Sequence, residues 1–469
     1  MGAQPIRVVV IGAGIAGLAA TIAFARAGHA VTLVERDAAQ PPPEPDQSFL
    51  EWERPGVPQR RLVHGFLPLA RKVLRESVPD IVERLFAAGA HDVDLLEPLQ
   101  KRGFEPGDEE LFVLRCRRTV FEWVLRQVVD EEPLASVIAG DAAAGLVVDG
   151  GAGGRPAAVT GVRLRSGAIV PGKVTIDAAG RQSQVPRWLQ AAGSPPPKEE
   201  VTECNLVYYT RFYERPDAGF PVAVQANLGY LYATAVGADG RTFSLTFFAR
   251  AEEPELRVLR EEGAFERAAA AIPGFAPWRA GAQPIGPVGA MGSLQNRLRR
   301  FMTGGRPVVL GLIPIGDSLS HTNPTLGRGM SLALDHAFRA ARLPWAEGDV
   351  EECAVAYHSG VDPMAEASYL DAVDADRVAR GLYMGDESIR DEPRAVLTRA
   401  RPLAAAGDHA LYRATVRNNG LLSPPGAFIS EPWIGRARAL LAAAGPGGAP
   451  RPGPARDEML SLLRLATAR

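Results

Sequence analysis

The stretch IRVVVIGAGIAGLAATIAFARAGHAVTLVER, residues 6–36, predicts a strand, a turn, a helix and a second strand. The apolar run 6–11 has the pattern of a buried strand, and the Ala-rich segment after it predicts a helix that stops at Gly28. A second apolar run, 30–34, predicts the second strand. This order is that of a βαβ unit, so we expect a Rossmann-type α/β domain at the N-terminus.

Three glycines in the turn, Gly12, Gly14 and Gly17, have the spacing G-x-G-x-x-G. In a dinucleotide-binding unit the first glycine makes the turn, the second lets the pyrophosphate approach, and the third lets the helix pack on the strand. Glu35 ends the second strand, where an acid accepts hydrogen bonds from the adenosine ribose. The neighbouring candidates for this site are Ala13, Ala16 and Arg36. The spacing predicts a dinucleotide and leaves both NAD and FAD open.

The composition is that of a folded protein with two or three domains. The chain has 469 residues, of which 46% are hydrophobic and 23% charged, and its formal net charge is −2. This charge gives no reason to expect a nucleic acid as partner. The three cysteines lie far apart, and no run approaches the roughly 18 apolar residues of a membrane span. We therefore expect a cytoplasmic protein without a disulfide framework, a membrane span or a bound metal.

Two later segments have the same strand-then-glycine character. VTIDAAGRQSQVPRWL, residues 174–189, contains an apolar strand that ends in Asp177 and is followed by small residues. GDSLSHTNPTLGRGM, residues 316–330, places two glycines just before a helical pattern. Glycine lets a ligand approach the backbone, and a helix N-terminus offers free N–H groups to an anion. Both segments are candidates for the same ligand site as the N-terminal fingerprint.

The three motifs together resemble the FAD-dependent monooxygenases of the p-hydroxybenzoate hydroxylase class, and within it a squalene-epoxidase-like and polyether-epoxidase-like bacterial branch. The resemblance covers roughly residues 1–345. It implies non-covalent FAD, with its ADP half on the fingerprint and its ribityl and pyrophosphate region near Asp317. The segment Asp177-Ala178-Ala179-Gly180 departs from the Asp-Gly of the class. This departure leaves open how the enzyme meets NAD(P)H.

The resemblance also implies cofactor contacts from two further segments. LRCRRTVFEWVLRQ, residues 114–127, matches a segment with an arginine before a helix, and its phase favours Arg118. GVPQRRLVHGFL, residues 56–67, resembles the segment that lies across the flavin, which makes Arg61 and His64 candidates. The other implied contacts are Ala179, Gly180, Gly316, Asp317, Pro324, Gly327, Gly329 and Met330. Candidate catalytic residues are His64, His321 and Pro324. For His321, the role of a loop histidine held by backbone groups is favoured over a proton-relay role. The alternatives for Arg61 and His64 are, respectively, a surface charge and a capped or core histidine.

The fold class expected is α/β, a glutathione-reductase-like FAD-binding domain with an inserted β-rich substrate domain and a helical C-terminal region. The expected domains are 1–200 and the return segment 301–345 for FAD, 201–300 for the insertion, and 346–469 for the helical region. Aromatic residues on the inserted strands are candidates for the substrate pocket, with ordinary core packing as the alternative. These are Tyr208, Phe212, Tyr230, Tyr232, Phe243 and Phe247.

The activity that the resemblance implies is insertion of one oxygen atom from O2 into an apolar or aromatic small molecule. Epoxidation and hydroxylation both remain open, and either runs through a flavin C4a-hydroperoxide. Since the chain has one fingerprint, NAD(P)H visits transiently or a separate flavin reductase supplies the electrons. The alternatives are an FAD-dependent reductase or dehydrogenase, then a flavin halogenase or a non-catalytic flavoprotein. The Trp-x-Trp-x-Ile-Pro segment usual in halogenases is absent from the sequence.

Overall fold

The computed structural model describes residues 4–99, 103–151, 155–217, 219–221, 223–445 and 452–464. Its centre is a five-stranded parallel sheet, which we call the central sheet. In sheet order its strands are Leu312–Pro314, Val174–Asp177, Arg7–Ile11, Ala30–Glu35 and Ala135–Ala139. The strands are rich in Val, Ile and Leu because the sheet is buried: the helix Ile15–Arg26 contacts its strands, and so does a small antiparallel sheet that contains Ala158–Leu164 and Ile169–Pro171. The βαβ unit predicted at the N-terminus is confirmed.

Fourteen helices lie in the described part of the chain, and three of them pack around the fingerprint. The helix Ile15–Arg26 packs against both Arg118–Glu131 and Gly329–Ala341. The remaining helices before residue 345 are Gln47–Leu50, Pro68–Ser77, Pro79–Ala87, Val185–Ala191, Glu262–Ala271 and Ala276–Arg279. Those after it are Val350–Met384, Pro393–Gly407, His409–Asn419, Glu431–Ala444 and Arg456–Arg464. None of these helices is both long enough and apolar enough to cross a membrane.

A second five-stranded sheet, which we call the inserted sheet, is antiparallel. In the sequence its strands lie between Val174–Asp177 and Leu312–Pro314 of the central sheet. Its order is Val224–Asn227, Leu231–Gly237, Thr242–Arg250, Leu206–Glu214 and Gln283–Met291. The strands Leu231–Gly237 and Thr242–Arg250 form a hairpin with its turn at Asp239-Gly240, and Gly240 has a φ of 59° there. One face of the sheet packs against the helix Glu262–Ala271 in a core of its own. The predicted fold class, an α/β domain with a β-rich insertion and a helical C-terminal region, is confirmed.

The described residues also form four smaller sheets. Their strands are Lys198–Glu203 with Gln295–Arg300 and Ser320–His321, Ala143–Asp149 with Ala158–Leu164 and Ile169–Pro171, His91–Asp94 with Phe112–Arg115, and Met302–Thr303 with Arg306–Pro307. The first of them matters for function, because it connects both ends of the insertion to the segment after the Gly-Asp motif. The expected domain boundaries at 200, 300 and 345 stay predictions.

Candidate cofactor and active site

The fingerprint turn has a geometry that explains each of its glycines. Gly12 has a φ of 97°, and a Cβ on it would lie 2.9 Å from the carbonyl oxygen of Ala178. A Cβ on Gly17 would lie 1.7 Å from the carbonyl oxygen of Gly12, so the helix contacts the turn directly there. By contrast, the nearest atom to a Cβ on Gly14 is an Arg118 nitrogen 3.8 Å away. The space beside Gly14 is open to a ligand.

The acid at the end of the second strand, Glu35, is buried and held on both carboxylate oxygens. Its Oε2 accepts from the N–H of Ala13 at 2.7 Å, and its Oε1 accepts from the N–H of Asp37 at 2.9 Å. Arg54 contacts Glu35 at 3.2 Å, Glu122 at 3.4 Å and Asp37 at 3.5 Å, and its side chain is only 3% exposed. Arg54 is therefore the buried cation that three carboxylates share beneath the fingerprint turn.

Arg118 begins the helix Arg118–Glu131 and lies beside Gly14, as its predicted role requires. Its Nε donates to Glu122 at 2.7 Å, and its Nη1 contacts His64 Nε2 at 3.2 Å. The other ring nitrogen, His64 Nδ1, lies 2.9 Å from the Leu62 carbonyl oxygen and must donate to it. Burial and the adjacent Arg118 lower the pKa of His64 to about 3. His64 is thus neutral and accepts a hydrogen bond from Arg118.

The middle motif and the Gly-Asp motif are connected through the buried carboxylate of Asp177. It accepts hydrogen bonds from the hydroxyls of Ser183 at 2.6 Å and Ser318 at 3.0 Å. Ser318 Oγ in turn accepts from the N–H of Gly180 at 2.9 Å. Burial raises the pKa of Asp177, and these donors oppose that shift. The network fixes the position of Asp317, the neighbour of Ser318, at the cavity wall.

After the Gly-Asp motif the chain forms the loop 323–329, which we call the cofactor loop. Asn323 Oδ1 accepts from the N–H and the hydroxyl of Thr325, and Gly327 has a φ of 67°. The imidazole of His321 is held by the carbonyl oxygen of Gln295 at 2.6 Å, and its Nε2 lies 4.0 Å from Asp317. One ring nitrogen of His321 is therefore hydrogen-bonded to a backbone carbonyl, and the other faces Asp317.

These segments enclose a cavity of about 1000 Å³. That volume is at the upper end of small-molecule sites, which hold about 300–1000 Å³. The cavity brings together most of the predicted cofactor and catalytic candidates. The lining includes Gly12, Ala13, Gly14, Ala16, Glu35, Arg36, His64, Arg118, Ala179, Gly180, Asp317, His321, Pro324, Gly327, Gly329 and Met330.

Three predicted residues lie outside this lining. Gly17 packs the helix on the turn, and Gly316, with a φ of 56°, packs against Ala333. Arg61 is placed elsewhere: its guanidinium donates to the carbonyl oxygens of Phe49 and Leu50 at 2.6 Å. This position does not support the expectation that Arg61 contacts the flavin, because its guanidinium is hydrogen-bonded to backbone carbonyls beside the inserted sheet.

The end of the cavity under the inserted sheet is mainly apolar. The inserted region contributes Tyr208, Met291 and Leu294 to the lining of this end. The segment 56–67 contributes Val63 and His64. Of the six aromatic candidates, only Tyr208 is in the lining. Phe243 and Phe247 point to the opposite face of the sheet and pack in its separate core, with Tyr230. Phe212 stacks edge-on with Phe49, and Tyr232 packs on Phe248. Core packing is therefore the role of most of these residues.

The sequence reasoning missed the buried cation Arg54 and a basic wall of the cavity. That wall contains Arg181, Arg297 and Arg299, with Glu199 bound to Arg299 at 2.7 Å. An excess of arginine suits the two negative charges of a dinucleotide pyrophosphate. The arginine content of the whole chain hides this signal, because arginines are spread along the sequence. The alternating pattern of RLRR, residues 297–300, after the insertion is the one local hint.

The residues fit FAD as the ligand of this cavity. The space at Gly14 and the basic wall suit a pyrophosphate, and Asp317, 29% exposed at the wall, has no stronger contact in the described chain than His321 at 4.0 Å. An acid left in this state is ready to accept hydrogen bonds from ligand hydroxyls. The segment that would receive the flavin ring is the cofactor loop, with the N-terminus of Gly329–Ala341 beside it.

Changing Asp317 to alanine should weaken FAD binding about tenfold or more, because one charged acceptor is worth about 1.5–3 kcal/mol. The fold should be unaffected, since Asp317 makes no close ion pair. Titration of the apo-protein by flavin fluorescence and thermal unfolding measure the two effects. Asp391→Ala, which removes an exposed carboxylate, is the matched control. Wild-type affinity in Asp317→Ala would contradict the placement of this motif at the cofactor.

Comparison with known families agrees with this site at its N-terminal end. Residues 7–41 match the FAD binding domain family model. A Mycobacterium tuberculosis protein, Rv3254, is 29% identical over 378 residues, covering 73% of this chain and 74% of that protein. The matched family segment contains the glycine fingerprint and the acid that ends the second strand. The choice between NAD and FAD that the spacing leaves open is thereby decided for FAD.

Solved structures with the same fold cover most of the chain at low sequence identity. PqsL from Pseudomonas aeruginosa, described as a probable FAD-dependent monooxygenase, has a TM-score of 0.60 at 16% identity and covers 83% of this chain and 100% of that one. The flavin-dependent brominase Bmp2 has a TM-score of 0.62 at 17% identity, covering 94% and 99%. 2-Methyl-3-hydroxypyridine-5-carboxylic acid oxygenase has a TM-score of 0.53 at 15% identity and covers 84% of this chain and 95% of that one. The protein therefore carries an FAD-binding domain on the fold of the FAD-dependent monooxygenases.

Proposed function

We propose that this protein is an FAD-dependent monooxygenase that inserts one oxygen atom from O2 into an apolar or aromatic small molecule. The observation that carries the proposal is the single cavity, in which the three cofactor motifs meet an apolar end beneath the inserted sheet. A substrate at that end would lie directly against the cofactor loop. The Asp-Ala-Ala-Gly form of the middle motif favours the epoxidase-like branch of these enzymes.

The residues around the cavity supply binding, orientation and exclusion of water. FAD, when bound, supplies the redox chemistry and the reaction with dioxygen. The fingerprint turn and Arg118 would hold its pyrophosphate side, and Asp317 its ribityl hydroxyls. The N–H groups at the start of Gly329–Ala341 would stabilise negative charge at the ring edge beside them. Arg118 is already fixed by its hydrogen bonds with Glu122 and His64, so it needs little reorganisation on binding.

The apolar end favours an uncharged substrate. Its lining from Val63, Met291 and Leu294 is apolar, and His64 is kept neutral because burial and the adjacent Arg118 lower its pKa. A dry pocket of this kind limits loss of reducing equivalents to hydrogen peroxide. PqsL has been solved in complex with 2-aminobenzoylacetate, an aromatic carboxylate, whose ring but not its charge agrees with the substrate proposed here. His64 acts in this proposal as a hydrogen-bond acceptor that orients Arg118, rather than as an acid.

The decisive experiment supplies labelled dioxygen to the reduced holoprotein with a panel of alkenes and phenols. We expect a product that carries one labelled oxygen atom, and mainly hydrogen peroxide when substrate is omitted. Acid precipitation of the same sample should release intact FAD into the supernatant, because the cofactor is bound non-covalently. Substrate conversion that proceeds equally without dioxygen would replace this proposal with the reductase or dehydrogenase alternative.

A variant of the cofactor loop tests the site within the same assay. Gly327 has a φ of 67°, which valine rarely adopts, so Gly327→Val should displace the loop from the ring. We expect a severalfold larger share of the electrons to end in hydrogen peroxide, with some FAD still bound. Gly304→Val, at a positive φ of 58° in a turn remote from the cavity, is the matched control. Equal coupling in both variants would remove the loop from the proposed site.

The electron donor is proposed to be NAD(P)H that visits transiently, or a separate flavin reductase. The parallel sheet contains one glycine fingerprint, at Gly12, Gly14 and Gly17, and the FAD family match covers it. Oxidation of NADH and NADPH by the holoprotein alone, measured with and without substrate, distinguishes the two donors. A halogenase finds its support in the fold of Bmp2 and is tested by adding bromide or chloride to the same assay.

A further inference from the structure

The long helix Val350–Met384 in the C-terminal region runs along the outside of the cofactor loop and contacts its first residue. Asp376 on this helix accepts a hydrogen bond from the side-chain amide of Asn323. It also accepts from the side-chain amide of Asn296 at 2.8 Å, and Asn296 Oδ1 accepts from the Asn323 N–H at 2.7 Å. The three residues form a closed set of hydrogen bonds, in which one donor is the backbone N–H of Asn323. Asn323 is therefore held on its amide and on its backbone at once.

The other end of the cofactor loop is held by the same helix through an ion pair. Arg328 is 3% exposed, and its guanidinium pairs with Asp371 and donates to the Ser368 carbonyl oxygen at 3.2 Å. Asp371 also pairs with Arg394 from the helix Pro393–Gly407. A buried arginine with its carboxylate fixed by a second arginine has little freedom to move. The turn before Gly329 is thus anchored to two C-terminal helices.

Between these two anchors the cofactor loop has little support of its own. Its regular structure is one short turn, Pro324–Leu326, followed by Gly327 in a left-handed conformation. Side chains that would stiffen it are few, because its cavity side must stay open. The contacts from Asp371 and Asp376 are therefore the ones that set where the loop lies.

We infer that the C-terminal helical region is a clamp, in which Asp371 and Asp376 position the cofactor loop against the isoalloxazine half of FAD. This inference rests on the FAD site proposed above. Both carboxylates act through Arg328 and Asn323, so they are positioning residues and make no contact with the cofactor themselves. The clamp gives residues 350–407 a role in cofactor binding, although they contribute little to the lining of the cavity.

Two ligands separate this role from a general effect on stability. ADP occupies only the fingerprint half of the site, at the turn 12–17, whereas FAD extends to the cofactor loop. Loss of the clamp should therefore lower the affinity for FAD and leave the affinity for ADP unchanged. A variant that merely loosens the whole fold would weaken both ligands together.

The test compares Asp376→Asn with Glu352→Gln in the apo-protein, using ADP and FAD as probes. Glu352 is an exposed acid in the first turn of the same helix, away from Asp371 and Asp376. Asp376→Asn keeps the shape and removes one of the two acceptors that hold Asn296 and Asn323. We expect FAD to bind about tenfold more weakly in Asp376→Asn, since a hydrogen bond to a charged group is lost, with ADP unchanged. Glu352→Gln should bind both as the wild type does.

A second variant, Asp371→Asn, acts at the opposite anchor and should give the same separation of the two ligands. It decides the question if Asp376→Asn fails to fold, and normal ADP binding shows in each case that the fingerprint is folded. The absorption bands of bound FAD should also shift in the clamp variants, because the surroundings of the ring change. Equal FAD affinity in all variants, or equal weakening of ADP and FAD, would overturn the inference. A chain that binds FAD but inserts no oxygen would leave it intact, since neither measurement needs turnover.

Discussion

Replacing Gly17 with alanine is expected to abolish FAD binding and to destabilise the fold by about 3 kcal/mol or more. The new methyl carbon would lie 1.7 Å from the carbonyl oxygen of Gly12, which is backbone and has no rotamer by which to escape. The helix Ile15–Arg26 would have to move off the turn, and its N-terminal amides would move with it. Urea unfolding of the apo-protein measures the loss of stability, and an unchanged unfolding midpoint would contradict this packing.

The matched variant is Gly14→Ala, in the same turn. Gly14 has a φ of −76° and a ψ of −179°, which alanine adopts without strain. Its methyl group would project into the open space where the pyrophosphate is proposed to lie, 3.8 Å from Arg118. The stability of the apo-protein should stay within about 0.5 kcal/mol of wild type. FAD affinity should fall at least tenfold in a fluorescence titration, and normal binding would move the pyrophosphate away from this turn.

The second large effect is expected for Arg54→Ala, which should destabilise the protein by about 3–5 kcal/mol. Its removal leaves Glu35, Asp37 and Glu122 buried without the cation between them. Their side chains are 9%, 8% and 1% exposed, so water cannot replace the guanidinium. Arg54 also donates to the carbonyl oxygen of Ala13 at 2.9 Å, and we expect the fingerprint turn to lose FAD as well.

An exposed ion pair gives the control for this prediction. Arg84 pairs with Glu131, with side chains 44% and 56% exposed, and Arg84→Ala should cost no more than about 1 kcal/mol. Denaturant unfolding of both variants, read by circular dichroism, measures the difference in the free energy of unfolding. A loss in Arg54→Ala no greater than that in Arg84→Ala would show that the buried carboxylates are stabilised by other means.

The parts of the fold that were predictable from sequence are those set by short stretches of chain. The strand, turn and helix around Gly12 follow from local periodicity, and the hairpin at Asp239-Gly240 follows from its turn residues. The phase of the helix pattern favours Arg118, and the structure places Arg118 at the cavity, while its neighbour Arg117 pairs with Asp239. Patterns of this kind need no knowledge of distant contacts.

The remainder depends on contacts between residues far apart in the chain. Arg54 differs from the other arginines through three carboxylates, two at the end of the strand Ala30–Glu35 and one on the helix Arg118–Glu131. Asp376 is one of many acids on a long helix, and its role arises because the cofactor loop lies beside it. The aromatic residues show the same limit, since alternation identifies a sheet face but not what covers it. Tyr208 and Phe247 lie on adjacent strands and face opposite sides.

The order of strands in the central sheet has a consequence for how the protein is made. Leu312–Pro314 pairs with Val174–Asp177, and the whole inserted sheet lies between them in the chain. During synthesis the glycine fingerprint leaves the ribosome early. The edge strand and the cofactor loop emerge only after the inserted sheet, and the helix Val350–Met384 emerges after them. Pairing across such sequence distances is slow compared with helix formation. We expect nascent chains that end before residue 384 to hold no FAD, so that cofactor capture is among the last steps of biosynthesis.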